Sequence, residues 1–78
     1  MTEPNHPATL DRAQVQIAKI AGAPTSTEVD LLNLHARGYV EALYAEELID
    51  WAEYCRLNDA VDRQRDQRKA ELKAAEVG

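Results

Sequence analysis

The chain has one cysteine, no phenylalanine, three glycines and three prolines among 78 residues, and each shortage removes a class of protein. Cys55 has no second cysteine to pair with, so no disulfide closes within the chain. Gly22, Gly38 and Gly78 stand alone, which leaves no glycine-rich loop to cradle phosphates. So little Gly and Pro makes turns and long strands scarce. Unbroken apolar stretches are only a few residues long, against the ~20 needed to span a bilayer. Positive charge is lacking too. Nine Lys and Arg face fourteen Asp and Glu, a net charge of −5, which argues against bulk attraction to nucleic acid or anionic lipid.

Chemistry-bearing clusters are equally absent. His6, His35 and Cys55 are widely separated, with no C-x-x-C or H-E-x-x-H spacing, so no metal and no cofactor is expected. A Cys–His pair also fails on distance. In a hairpin turning near residue 49, His35 and Cys55 lie ~12 Å apart along the axis at 1.5 Å per residue, whereas a nucleophile and its base need ~3 Å. No catalytic residue is expected, and the chain reads as a non-enzyme. Met1 to Pro7 shows no basic stretch followed by an apolar run, so it does not read as a signal peptide. A cytoplasmic location is expected, where a free thiol stays reduced.

What the sequence does have is helix formers: Ala, Leu, Glu, Arg and Gln. Residues 1–7 read as an extended tail. Leu10, Ala13, Ile17 and Ile20 recur at helical spacing and predict a helix over about 8–21, with Val15 and Ile17 leaving a short strand as the alternative. Gly22 to Ser26 is a linker, and Thr25, Ser26 or Thr27 can cap the next helix. That helix, about 27–48, carries apolar or small residues over an arc of roughly 200°, too wide for one neighbouring helix to cover. Asp50 and Glu53 stand as a reciprocal capping box, with Ile49 and Tyr54 as a hydrophobic staple. A third helix over about 50–75 follows, and a turn this short makes it an antiparallel neighbour of the second.

The expected fold is therefore all-α, a single domain over 8–78 in which an antiparallel helical hairpin is preceded by a shorter helix. A chain of this size buries only about 60% of its unfolded surface, and association is the usual remedy when disulfides and metals are absent. The excess apolar arc then implies a dimeric helical bundle, a homodimer being the simplest case. Leu31, Leu34, Gly38, Ala42 and Trp51 are the candidates for packing against another helix or copy, with Gly38 and Ala42 forming a small-x-x-x-small patch.

Two charged regions are candidate contact surfaces. Between Gly38 and Cys55 lie Glu41, Glu46, Glu47, Asp50 and Glu53, without a Lys or Arg among them, and Tyr44 projects from the polar side of its helix beside them. Such a stretch fits a basic partner, although capping and solvation also account for acidic residues here. From Asp62 to Lys69 no residue is apolar, so the segment is either solvated or docked on something polar. Its Arg65 and Arg68 are further contact candidates, and pairs such as Asp62–Arg65 and Asp66–Lys69 are available along the helix.

In size, acidity and lack of catalytic motifs the chain resembles the small accessory proteins of phages and mobile elements, such as anti-CRISPR proteins or inhibitors of host regulators. That resemblance implies a protein–protein interaction module that occupies the surface of a host or regulatory protein. The alternative is a dimeric transcriptional regulator or antitoxin-like subunit that touches DNA through its basic C-terminal helix. Nucleic-acid binding by the chain alone is disfavoured, because the preceding acidic segment would be repelled by phosphate.

Overall fold

Residues 3–77 are described by the computed structural model, and among them there are three α-helices and no strand: α1 (Pro7–Ala18), α2 (Ser26–Ala45) and α3 (Trp51–Val77). A 3-10 turn over Lys19–Gly22 prolongs α1. The three helices pack against one another. The assembly is 53 Å long and 17 by 16 Å across.

Local chemistry sets each helix boundary. Pro7 opens α1, where its missing N–H costs nothing, and His6 Nδ1 accepts from the Ala8 amide at 3.2 Å. The last turn tightens to 3-10 geometry, closed by the Ala23 amide donating to the Ile20 carbonyl at 3.2 Å. Ile17 and Ile20 are buried while Val15 is exposed, which is the helical pattern and not the strand alternation. Of the three candidate caps for α2, Thr25 serves, its Oγ1 accepting from the Glu28 amide at 3.2 Å.

α2 stops at Ala45, three residues earlier than its apolar periodicity predicts. Glu47 adopts a left-handed conformation with φ +60°. Its amide donates to the Tyr44 carbonyl at 3.0 Å, and the Leu48 amide donates to the Leu43 carbonyl at 2.8 Å. This pair of bonds is a Schellman motif, here without the usual glycine. Leu48 and Ile49 therefore belong to the connection, and Ile49 turns into the core.

The core runs through all three helices. Ala13, Ile17, Ile20 and Ala23 meet Val29, Ala36, Val40 and Leu43, and Ile49, Leu57 and Val61 complete it. Each large side chain fully buried here contributes about 1.5–3 kcal/mol. Asn33 interrupts the apolar row of α2, 8% exposed, and its Nδ2 has no hydrogen-bond partner. Only part of the broad apolar arc of α2 enters this core. Leu31 and Leu34 stay 61% and 69% exposed, and Gly38, Ala42 and Ala45 are exposed beside them.

α2 and α3 touch at three levels, in each of which a later residue of one meets an earlier residue of the other. Tyr44 stacks near Tyr54 with ring centroids 4.7 Å apart. Arg37 forms an ion pair with Asp62, and Lys69 reaches Asp30 at 2.7 Å. The wholly polar stretch of α3 is thus docked on polar partners. Arg68 extends the pattern, its Nε donating to the Ala23 carbonyl at 2.8 Å.

Candidate functional site

The connection between α2 and α3 and the residues around it form an acidic, aromatic tip. Asp50 begins α3, its Oδ1 accepting from the Glu53 amide at 2.9 Å. The reciprocal half of the expected capping box is absent. Glu53 turns instead to Arg56, which donates Nε–H at 2.8 Å. The Asp50 amide is satisfied from elsewhere, by Asn5 Oδ1 at 3.1 Å.

Asn5 does more than fill that vacancy. Its Nδ2 donates to Asp50 Oδ2 at 2.9 Å and its own amide donates to the Leu48 carbonyl at 2.9 Å. Its φ of +65° is left-handed, a conformation asparagine tolerates better than most residues. The segment before α1, expected as an extended tail, is thereby tied to the far connection; Met1 and Thr2 of that expected tail lie outside the described residues. The Glu53 amide, followed by the Asn5 side chain, holds the Asp50 carboxyl below its ordinary value of 3.8.

Three aromatic rings sit on the same end. Trp51 stacks on Tyr54 with centroids 5.3 Å apart and meets Tyr44 edge-on at 5.7 Å. Contacts of this kind are worth about 0.5–1.5 kcal/mol beyond burial. Even so, Trp51 remains 61% exposed and Tyr44 38%. The rings pack on one another while Trp51 and Tyr44 stay accessible to solvent. Pro4, Tyr44, Glu47, Ile49 and Asp50 also line an open recess of about 490 Å³.

The candidate contact residues separate into two groups. Glu41, Glu46 and Glu47 are exposed, and none of them enters an ion pair among the described residues. Glu41 lies one helical turn before Tyr44, and Glu47 lines the same recess as Tyr44. Arg65 and Arg68 are engaged within the chain. Arg65 pairs with Asp66 at 3.0 Å and with Asp62 at 3.5 Å, and the Asp66 hydrogen bond raises its already high pKa. Arg68 holds the Ala23 carbonyl and approaches Glu71 at 3.4 Å. Lys69 pairs with Asp30 on α2 rather than with Asp66 on its own helix.

Among the packing candidates, Trp51 belongs to the aromatic tip, whereas Leu31, Leu34, Gly38 and Ala42 line the exposed side of α2. Cys55 is a half-exposed free thiol and His35 is exposed on α2. Among the described residues no group of three His, Cys, Asp or Glu side chains is arranged to hold a metal ion, and no helix is long and apolar enough to cross a membrane. No protein family, curated protein or solved structure matches the chain.

The residue that sequence reasoning missed is Asn5. It follows Pro4 in a stretch without periodicity, and its partners are more than forty positions away. Its left-handed tolerance was the one available signal, and that does not name a partner.

Proposed function

We propose that the protein is a non-enzymatic protein–protein interaction module whose acidic aromatic tip occupies a basic surface on a host or regulatory protein. In this reading it acts as small inhibitors of phages and mobile elements act, by covering a surface and not by chemistry. One observation carries the proposal. Trp51 and Tyr44 are held in a mutually packed cluster yet stay exposed, beside carboxylates of Glu41, Glu46 and Glu47 that no cation neutralises among the described residues. Aromatic side chains of this kind dominate binding energies at interfaces, and unpaired carboxylates steer a basic partner toward them. Ordering the rings before contact reduces the entropy lost on binding.

An antiparallel hairpin of α2 and α3 supports this role, because it places the tip at one extremity. The three cross-helix contacts, each matching a later residue with an earlier one, favour that arrangement. The exposed leucines of α2 favour a dimeric bundle. A cytoplasmic setting accords with the unpaired thiol. The regulator reading is weakened because three of the five cations between Arg63 and Lys73, namely Arg65, Arg68 and Lys69, already have intramolecular partners, which leaves Arg63 and Lys73 exposed for DNA contact.

The test is capture of partners from nuclease-treated lysate by the tagged chain and by the double variant Glu46→Lys, Glu47→Lys, together with Trp51→Ala. One protein held in near-stoichiometric amount by the parent and lost by both variants, with helicity unchanged, supports the module. Equal capture by the variants removes the tip from the reading. No protein, with nucleic acid co-purifying from untreated lysate, puts the DNA-contacting regulator in its place.

A further inference from the structure

We propose that the outward face of α2 binds a second copy of this chain, antiparallel, about a two-fold axis passing beside Gly38. The inference deepens the dimeric part of the reading above and is independent of the tip.

The face is exposed and apolar where a solvated helix would be charged. Leu31 and Leu34 carry most of its hydrocarbon, at 61% and 69% exposure. A side chain added at Gly38 would meet nothing within 4 Å, so the backbone there is bare. The order of residues along the face is what selects the occupant. Counting outward from Gly38, Leu34 lies four residues before and Ala42 four after. Leu31 lies seven before and Ala45 seven after. An antiparallel copy centred on Gly38 therefore sets each leucine against an alanine, large into small, at both distances.

His35 lies three residues before Gly38 and Glu41 three after. In the antiparallel register His35 and the other copy's Glu41, the strip's one acidic group, stand at the same height on opposite margins of the seam, so no carboxylate of the strip is set directly against another. Both side chains are exposed. An isologous two-fold contact needs a face that complements itself, and this order of leucine before and alanine after Gly38 supplies one. Gly38 on the axis lets the two backbones approach closely, and on either side of it a leucine of one copy meets an alanine of the other.

The strip from Leu31 to Ala45 is about 21 Å long at 1.5 Å per residue. Two such faces make a contact at the small end of interface sizes, below about 1,200 Å² in total. With −5 on each chain opposing association, the dimer is expected to be weak and reversible.

Sedimentation of the full chain from about 1 µM to 1 mM reads the equilibrium without any partner protein, so its outcome is separate from that of the tip experiment. The parent should pass from monomer to dimer across that range. Gly38→Glu enters open space in the single chain and replaces a poor helix former, so helicity should hold while two facing carboxylates weaken the dimer more than about tenfold. Register is read by mild oxidation in a Cys55→Ala background. A mixture of Leu34→Cys and Ala42→Cys chains should give the mixed 34–42 disulfide, and neither variant alone should cross-link. A monomer at every concentration overturns the proposal. So does a dimer indifferent to Gly38→Glu, or efficient 34–34 and 42–42 cross-links, which a parallel pair would give.

Discussion

The two ends of the molecule spend their charges differently. Around the α2–α3 connection, Glu41, Glu46 and Glu47 have no ionic partner among the described residues and the aromatic rings of Tyr44 and Trp51 stay open. Toward the other end, the polar stretch of α3 is occupied: Arg37 with Asp62, Lys69 with Asp30, Arg68 with the Ala23 carbonyl. Polar residues thus act as packing at one end and as a presented surface at the other. The sign of charge does not separate these roles. What separates them is whether a second element lies alongside to receive the side chain.

The comparison breaks most sharply at Arg68. Arg68→Ala removes a charge-assisted hydrogen bond and strands the carbonyl of buried Ala23. The expected loss is about 2 kcal/mol, read from urea unfolding, whereas Glu46→Lys at the tip should move stability by no more than about 0.5 kcal/mol. Equal effects would erase the distinction between the ends.

Asn33→Leu probes the core between them. Removing the unpartnered Nδ2 and filling the site with hydrocarbon should raise stability by about 1 kcal/mol, visible as a higher urea midpoint. A fall would mean that the asparagine makes contacts its replacement disturbs.

Asn5→Ala sharpens the picture of the tip. Losing both side-chain bonds to Asp50 should cost about 1 kcal/mol and raise amide exchange at Asp50 and at position 5 itself, whose amide donates to the Leu48 carbonyl. Acid should reproduce part of this. The Asp50 carboxyl is held below its unfolded value of 3.8, so its contribution is fully present above that value and is lost as pH falls through the lower folded value. Asp50→Asn should flatten the stability profile below about pH 4; an unchanged profile would assign the acid sensitivity to other carboxylates.

Glu47→Gly is the smallest of the expected effects. Relief of the left-handed backbone exceeds the entropy glycine adds to the unfolded chain by about 0.5 kcal/mol, so the melting temperature should rise slightly with α2 ending at the same place.

Much of the fold was legible because its determinants are local. Ile17 and Ile20 announce α1 by spacing, Thr25 and Asp50 are cap residues by type, and the breadth of the apolar arc on α2 shows that one neighbour cannot cover it. The early end of α2 was not legible, since Glu47 is an uncommon residue for a left-handed cap and the apolar pattern continues through Ile49. The capping box was half legible. Asp50 to Glu53 is a local bond, but the second bond went to Asn5, whose approach depends on how α1 lies against the other helices. The same holds for the candidate site. Glu41, Tyr44, Glu46 and Glu47 could be named from charge and periodicity, and Trp51 joined them only through ring contacts across the connection.

The sequence by itself determined helical class, the candidates for N-terminal caps and which residues are apolar, because these follow from side-chain chemistry within a few positions. Tertiary structure alone decided which apolar residues of α2 enter the core and which stay outside, and which charges are consumed. Those outcomes depend on where α1 and α3 run beside α2, a property of long-range packing that no window of the sequence contains.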